Sequence, residues 1–344
     1  MNEKPDIPLK FITDDQSTTD DVVIPFQVGA LDVRGRCVHL GAALDTLLER
    51  HAYPPAVSRV LGEAIVLTSL LGTSLKFEGR FQLQTRTDGP IDMILVDFDA
   101  PDRLRGYARF NAQRVQDMVA NPNPKLSLNA QLLGSGHLGL TLEQGNESSR
   151  YQGIVALEGQ GLEQAALQYF KQSEQIPTYL RIAVGEVFNA GNDDKTHSSK
   201  THSWRGGGLL VQFLPSSSER QRQSELDAGD APKGYNQPSF TEDDSWLEAQ
   251  ALTQTVADHE LLDPAVTSER LLYRLFNEHG VRVFQGLRMN EACRCTDERI
   301  RSMLARFSAQ DRHDMIADDG QIGVTCEFCS KRYVINPSEL ESTT

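Results

Sequence analysis

Alternating apolar and polar residues between positions 23 and 213 predict a domain of short strands and a few helices. Strands are expected where apolar residues recur at every second position between glycine- or proline-containing turns. The predicted strands span residues 23–28, 31–38, 81–85, 91–96, 104–110, 137–142, 152–156, 180–187 and 208–213. Helical spacing predicts a short helix over 44–50, a long helix that begins at Pro54–Pro55 and a third helix over 161–172.

Two polar segments interrupt this pattern. Residues 190–203 contain His197 and His202, and residues 216–241 are rich in Ser, Gln, Asp and Glu. Such segments bury too little apolar surface to offset the entropy of ordering, so both are predicted to be disordered, as is the acidic N-terminus over 1–22. The two histidines are accordingly predicted to lie in solvated chain, and metal binding by them is the less favoured alternative.

Two amphipathic helices are predicted after the second polar segment. The first begins at Asp244 or Ser245, and the second begins near Thr267 or Ser268 and ends at Gly280. A pair this short has little core of its own and must dock on another surface or remain marginal. We expect the two helices to pack on the C-terminal segment over residues 288–340, which contains four cysteines.

Four cysteines give the chain its clearest chemical signal. Cys293 and Cys295 form Cys-Arg-Cys, and Cys326 and Cys329 form Cys-Glu-Phe-Cys thirty residues later. Two close pairs of thiols joined by a helical segment predict an all-thiolate site for one Zn²⁺ per chain. A module of about fifty residues is marginal without such a ligand, so loss of the metal is expected to unfold it. The same sulfurs can also form disulfides, which favours a redox sensor, with a static zinc ribbon as the open alternative.

The fold class predicted from these elements is α+β. An N-terminal mixed α/β domain with packed sheets is expected over 23–215, interrupted by the insertion 190–203. A disordered insertion and a metastable helical linker follow over 216–287, and a zinc-binding redox-switch domain occupies 288–340.

Composition narrows the function classes. The 344 residues carry a formal net charge of -14, which disfavours nucleic-acid binding because phosphates must be neutralised by Lys and Arg. No apolar run seen in the sequence reaches the length of a membrane span, and the N-terminus lacks a signal segment. Five cysteines, four of them clustered, fit a reducing compartment, so we expect a cytoplasmic protein.

Several single residues carry weaker signals. Cys37 lies in a strand pattern and is predicted to be a small buried hydrophobe rather than a redox partner. Three glycines at 206–208 lack the Lys-Ser or Lys-Thr of a phosphate loop, and no catalytic residue is assigned. Whether the arginines of the module lower thiol pKa values or are solvated surface charges stays open; these are Arg294, Arg299 and Arg301.

Separate motifs in a fixed order resemble one family. They are the Cys-x-Cys and Cys-x-x-Cys pairs, Tyr-Gln-Gly-Ile-Val at 151–155, Ser-Glu-Gln-Ile-Pro-Thr at 173–178, Gly-Gly-Gly-Leu-Leu-Val-Gln at 206–212 and Leu-Leu-Tyr-Arg-Leu-Phe at 271–276. Together they cover roughly residues 23–340 and resemble the redox-regulated holdase chaperones of the heat shock protein 33 (33 kDa chaperonin) family.

The resemblance implies an ATP-independent holdase that is inactive while its cysteines are reduced and bound to zinc. Oxidants acting with unfolding stress would form the disulfides Cys293–Cys295 and Cys326–Cys329, release zinc and expose a surface for unfolded client proteins. By the same resemblance the active form is a homodimer that limits thermal and oxidative aggregation, and the chain is not an enzyme.

Two other classes remain as alternatives. A structural zinc ribbon that binds nucleic acid or acts in transcription needs a basic face, yet residues 288–344 hold ten acidic and eight basic side chains. A thiol oxidoreductase would need a βαβ context around its Cys-x-x-Cys, which the pattern lacks.

Overall fold

Two six-stranded sheets enclose one long apolar helix in the computed structural model, which describes residues 20–75, 78–144, 150–188, 202–214 and 243–340. The strands are β1 (Val22–Val28), β2 (Val33–Leu40), β3 (Gly79–Thr87), β4 (Ile91–Asp99), β5 (Arg103–Phe110), β6 (Ser135–Gln144), β7 (Arg150–Glu158), β8 (Thr178–Phe188), β9 (His202–Phe213), β10 (Val281–Val283), β11 (Leu287–Arg288), β12 (Asn290–Glu291), β13 (Ile322–Thr325) and β14 (Arg332–Ile335).

The helices are distributed between the sheets, over one outer face and in the C-terminal module. They are α1 (Ala42–Glu49), α2 (Pro55–Gly72), α3 (Ala112–Ala120), α4 (Leu128–Leu133), α5 (Leu162–Tyr169), α6 (Asp244–Gln254), α7 (Asp258–Leu262), α8 (Ser268–Phe276), α9 (Asp297–Leu304) and α10 (Ala309–Asp314).

The two large sheets are almost wholly antiparallel. Sheet A has the order β10-β1-β2-β9-β8, with β11 also paired to β1. Sheet B has the order β12-β5-β4-β3-β6-β7, in which β12 is parallel to β5. Strands from the far end of the chain therefore complete one edge of each sheet.

Helix α2 fills the space between the sheets. It contacts β2, β8 and β9 of sheet A and β3, β4 and β5 of sheet B, and 78% of its residues are buried. Its buried hydroxyls are satisfied within the helix, because Thr68 Oγ1 donates to the Ala64 carbonyl (2.7 Å) and Ser69 Oγ to the Ile65 carbonyl (2.8 Å). The helix is long and apolar enough to cross a membrane, which the sequence expectation of no such run missed, but its apolarity is accounted for by this core position.

The three consecutive glycines let helices approach β9 from both sides. A Cβ at Gly206 or Gly208 would lie 2.8 Å from a side-chain atom of Val66 in α2. A Cβ at Gly207, on the opposite face, would lie 2.2 Å from the Leu261 carbonyl oxygen of α7. The glycine run is therefore a packing feature of sheet A.

Helices α6, α7 and α8 cover the outer face of sheet A. Their buried side chains form one cluster with strands β1, β2, β8 and β9, and the Phe276 ring stacks on Phe26 with centroids 5.8 Å apart. The expectation that the C-terminal module is the packing partner of this helix pair is wrong, because the apolar stripe of α8 faces the sheet. Leu272 and Phe276 are fully buried there, at about 1.5–3 kcal/mol for each side chain.

Polar contacts also fix these helices to the sheet. Arg205 of β9 donates through Nε to the Leu262 carbonyl (2.7 Å) and forms a two-bond ion pair with Asp20. His39 of β2 is hydrogen-bonded through Nδ1 to Ser268 Oγ at the start of α8 (3.0 Å). Cys37 is fully buried beside the same helix, as predicted, and burial raises the pKa of its thiol to about 12.

The structure confirms the α+β class and most of the predicted elements, with two corrections to the predicted disorder. Asp20, Asp21 and Val22 are ordered, since Asp21 accepts hydrogen bonds from the N-terminus of α1 and Val22 begins β1. Strand β9 begins at His202, inside a segment predicted to be disordered. Residues 1–19, 189–201 and 215–242, with His197, lie outside the described residues, so the predicted disorder there and the domain boundaries stay predictions.

Replacing Gly207 with alanine should loosen α7 from sheet A. The added methyl cannot coexist with the Leu261 carbonyl at 2.2 Å, so α7 must shift, at about 1–3 kcal/mol. We expect a lower unfolding temperature and faster hydrogen exchange over 258–276. Gly139→Ala in β6 is the matched control, because its Cβ would meet nothing closer than 3.8 Å. Equal exchange in the two variants would contradict the close packing.

Acid should weaken the docking of α7 and α8. Burial lowers the pKa of His39, and the charge of Arg205 lowers it further. The carboxylates of Asp20 and Glu269 favour the charged imidazole and only partly offset this shift. Because the unfolded chain then binds the proton more tightly, this stability is present above about pH 6.5 and is lost as the pH falls below it. Hydrogen exchange over 258–276, compared at pH 7.5 and 5.5, should show the loss. His39→Gln should flatten the dependence and His137→Gln, at an exposed position in β6, should not; an unchanged slope in His39→Gln would disprove the assignment.

Candidate metal centre

Two local structures position the four cysteines. Cys293 and Cys295 follow β12, and Thr296 then caps α9 by accepting from the Arg299 amide (3.2 Å). Cys326 and Cys329 lie in the turn between β13 and β14. There the Cys326 amide donates to the Lys331 carbonyl (3.0 Å) and its carbonyl accepts from the Ser330 amide (2.8 Å), with Ser330 in the left-handed region at φ 57°.

The structure brings all four predicted sulfurs to one point. Their Sγ atoms lie within 4.8 Å of one another, with Cys293 and Cys326 3.6 Å apart and Cys295 and Cys329 3.2 Å apart. Tetrahedral thiolates at 2.3 Å from a zinc ion would be about 3.8 Å apart. The cluster can therefore hold a metal ion, and its four soft sulfur donors match the preference of zinc.

The thiols differ in how readily they ionise. Burial disfavours the Cys295 thiolate, but the nearby Tyr333 hydroxyl and the other three thiols outweigh burial and lower the pKa of Cys295 to about 7. Burial raises the pKa values of Cys293 and Cys329. Binding of a cation must therefore displace protons from at least these two sulfurs.

The module around the cysteines has a very small apolar core. Its buried cluster consists of Leu304, Ile322, Ile335 and Leu340, and it is separate from the two clusters of the sheets. The thiol cluster therefore joins parts of the chain that few apolar contacts hold together.

An ion pair fixes the first cysteine pair to sheet B. Arg294, between Cys293 and Cys295, donates from Nε and Nη2 to both carboxylate oxygens of Asp99 at the end of β4. The Asp99 side chain is only 3% exposed, and Arg80 lies 3.6 Å from the same carboxylate. A paired guanidinium and a buried carboxylate in two-bond geometry form one of the stronger polar contacts in proteins.

An aromatic contact fixes the second cysteine pair to the same sheet. The Arg105 guanidinium lies 4.0 Å from the Phe328 ring centroid, and the Tyr107 ring lies 6.3 Å away. His51 Nε2 donates to the Phe328 carbonyl (3.1 Å), which leaves Nδ1 to accept from Ser330 Oγ (3.0 Å). One histidine tautomer satisfies both contacts.

The arginines of the module are bonded to groups other than thiols. Arg299 Nη1 donates to the Arg294 carbonyl (3.0 Å), and Arg301 pairs with Asp297 and Glu339. His202, at the exposed start of β9, has its ring centroid 6.3 Å from that of Phe188. Within the described part of the chain, the four cysteines are the group that meets metal-ligating geometry.

Sequence reasoning missed the sheet residues that receive the module. Asp97 and Asp99 were a usable signal, because two acids in the buried strand β4 require partners. Phe328 was another, since an aromatic side chain inside a cysteine turn points to a docking surface. The partners themselves lie roughly two hundred residues away in the chain and leave no local pattern.

This architecture is that of an α+β protein with a C-terminal thiolate module docked on its N-terminal sheets. The family described as Hsp33 protein matches residues 21–336, and the chain belongs to this family. It is 41% identical over 329 residues to the 33 kDa chaperonin of Caulobacter vibrioides, covering 95% of this chain and 98% of the relative. It is 32% identical over 310 residues to the 33 kDa chaperonin of Vibrio cholerae, covering 90% of each.

A solved structure shares the fold. The crystal structure of the 33 kDa chaperonin (heat shock protein 33 homolog) of Thermotoga maritima superposes with a TM-score of 0.66 at 21% identity, covering 93% of this chain and 97% of that one. The relatives are named chaperonins, and the function of this chain as a chaperone follows from its family.

Removing the charge of Asp99 should loosen the module from sheet B. Asp99→Asn loses the ion pair to Arg294, at about 1.5–3 kcal/mol for hydrogen bonds to a charged group. We expect faster hydrogen exchange and proteolysis over 287–296. Asp92→Asn is the matched control, because the Arg109–Asp92 pair on the same sheet is about half exposed and contributes at most about 1 kcal/mol. Equal protection in both variants would show that the pair does not hold the module.

Proposed function

We propose that this chain is a redox-regulated, ATP-independent holdase, which binds unfolding proteins under oxidative stress and limits their aggregation. The observation that carries the proposal is the four-thiol cluster in a module with a minimal apolar core, attached to strands that close both sheets. A change at the sulfurs would therefore act on a segment that pairs with an edge strand of each large sheet.

Cys293, Cys295, Cys326 and Cys329 would hold one Zn²⁺ in the reduced form. Bound there, the ion supplies thiolate bonds of roughly 10–16 kcal/mol in apparent binding free energy for modules of this kind. The protein supplies the fixed turns that present the four sulfurs and Tyr333, whose hydroxyl donates to the Cys295 carbonyl (3.0 Å).

Oxidation removes these ligands in pairs. Two thiolates and one peroxide, with two protons, give one disulfide and two waters; hypochlorite would give one disulfide, chloride and one water. Two such reactions consume all four thiolates and withdraw four electrons. The sulfurs that remain are poor ligands, because thiolates rather than disulfides bind the metal.

We propose that the disulfides are Cys293–Cys295 and Cys326–Cys329. In the folded module the closest sulfurs belong to different pairs, at 3.6 Å and 3.2 Å. Local pairing therefore requires the module to open first. Once it is open, local pairs close much shorter loops than pairs some thirty residues apart, which is entropically favoured by about 2 kcal/mol. This requirement explains why unfolding stress would have to act together with an oxidant.

The segment from β10 to β12 would transmit unfolding of the module to the linker helices α6, α7 and α8. It joins α8 to Cys293, pairs with β1 and β5, and buries Met289 in the main core. When the module unfolds, this short pairing loses its anchor. The apolar faces of α6 and α8, and the sheet beneath them, would then become accessible to unfolded chains.

The remaining assignments belong to the same proposal. The protein would act in the cytoplasm and would form a homodimer when oxidised. It would bind partly unfolded clients, without catalysing a reaction and without binding nucleic acid or membranes.

Oxidation should release zinc and switch on aggregation suppression together. Treating the zinc-loaded protein with peroxide at elevated temperature should release one zinc per chain, measured by mass spectrometry, and suppress aggregation of a heat-denatured enzyme. Cys37→Ala should behave like the parent, because Cys37 lies outside the cluster. Zinc release without aggregation suppression would refute the proposed function.

Tryptic peptide mapping of the oxidised protein should show which cysteines are paired. Cleavage after Arg294 separates Cys293 from Cys295, whereas Cys326 and Cys329 stay within one peptide. The proposed bonds would link peptides 289–294 and 295–299 and leave 313–331 internally bridged. A link from either of the first two peptides to 313–331 would overturn the pairing and leave the redox switch in place.

A further inference from the structure

The edge of β5 is paired with a short segment from the far end of the same chain. β12 lies along it as a two-residue parallel strand, with Asn290 opposite Arg103 and Glu291 opposite Leu104. The Asn290 amide donates to the Asp102 carbonyl (2.8 Å) and the Ala292 amide to the Leu104 carbonyl (3.0 Å). These main-chain bonds do not depend on which side chains the added strand carries, which is the usual basis of peptide capture by strand addition.

Two side-chain sockets flank this edge. Met289, just before β12, is 2% exposed and belongs to the core between the sheets, so the edge accepts an apolar side chain there. Arg294, just after it, reaches the buried carboxylate of Asp99. If the Arg294 side chain moves away from Asp99, Arg80 still lies 3.6 Å from the Asp99 carboxylate, and the position of the Arg294 guanidinium is open to another cationic side chain. The edge therefore favours an extended segment with an apolar residue and, five positions later, an arginine.

A third socket accepts an aromatic ring. Phe328 lies against Arg105 and Tyr107, while His51 contacts its backbone carbonyl rather than any feature specific to phenylalanine. His51 is itself stacked on Tyr53 with centroids 4.8 Å apart, which holds the wall of this socket in place. The socket selects for an aromatic ring and is tolerant of the sequence around it.

Every occupant of these sockets lies within four residues of a cluster cysteine. Met289, Asn290 and Arg294 surround Cys293, and Phe328 lies between Cys326 and Cys329. The module that senses oxidation is thus also the ligand of the edge, and its unfolding would vacate all three sockets at once.

We propose that the β5 edge, with the Asp99 and Arg105–Tyr107 sockets, is a client-binding site that the module covers in the reduced protein. This inference rests on the proposed holdase function. The partner that fits is an extended segment of an unfolding protein that carries arginine near apolar or aromatic side chains. It would add to sheet B as β12 does, at a place separate from the sheet A face that lies under the linker helices.

Site-specific photo-crosslinking tests the place of binding. A photoreactive phenylalanine analogue replaces Arg103, which is exposed at the β5 edge, in the full-length protein. The control carries it at Arg109, exposed on the same strand about 20 Å away. With reduced, carboxymethylated α-lactalbumin as the unfolded client, the oxidised protein should crosslink from position 103 at least five times more than from 109. The reduced protein, in which β12 occupies this edge, should crosslink to the client from 103 no more than from 109.

A peptide copy of the occupant tests the chemistry. A fluorescein-labelled peptide of residues 287–294 with Cys293→Ser should bind the oxidised protein at least tenfold more tightly than the reduced protein, by fluorescence anisotropy. An Arg294→Ala peptide should lose about tenfold, and Asp99→Asn in the oxidised protein should abolish that difference. The parent peptide should also compete with α-lactalbumin for crosslinking at 103.

The outcomes separate this inference from the proposed function. An oxidised protein that fails to suppress aggregation refutes the holdase. An oxidised protein that suppresses aggregation, yet shows no crosslink from 103 or equal peptide binding in both redox states, refutes only the β5 site.

Discussion

Four thiols that meet at one point are the constraint on which the rest of this structure depends. The apolar cluster of the module around them has only four fully buried members, fewer than a domain of its size needs to stay folded without a disulfide or metal. The same module supplies the ion pair and the ring that dock on sheet B, and it anchors the strands that close both sheets. In our proposal, the state of the sulfurs therefore controls surfaces far larger than the module.

The position of the linker helices changes how such control would work. Their apolar faces belong to sheet A, where α8 buries Leu272 and Phe276 and α7 lies directly over Gly207. Unfolding of the module would not remove a packing partner from these helices. In the proposed mechanism it would instead release the short β10–β12 segment that ties them to the sheets.

Local patterns predicted most of the regular structure. Each of these segments encodes its own structure: β3 alternates apolar and polar residues, β4 is a continuous apolar run and α2 has helical spacing. The spacing of the four cysteines alone predicted that they would cluster. The short helix α3 was missed because it buries only Val115, and α4 was missed because its six residues are too few to show a helical period. Strands β11 and β12, of two residues each, exist only because β1 and β5 offer them an edge.

The sequence did not show which helices, strands and side chains pack against each other in the tertiary structure. The periodicity of α8 shows that one side is apolar but not that Phe26 lies opposite it. The pairing of Arg294 with Asp99 joins positions 195 residues apart and became visible only when β4 placed a buried carboxylate at the surface of the module. The clustering of the four cysteines was thus predictable, whereas their coupling to the domain was a property of the tertiary structure.

Cys37 has a consequence of its own. It is a fifth thiol, sealed beneath α8 and held protonated at neutral pH, so oxidants and alkylating reagents that reach the surface leave it untouched while the helix stays in place. Its sulfur becomes chemically available only after α8 lifts from the sheet. Reaction of Cys37 with an alkylating reagent would therefore report exposure of the sheet A face under α8, separately from any reaction of the four clustered sulfurs.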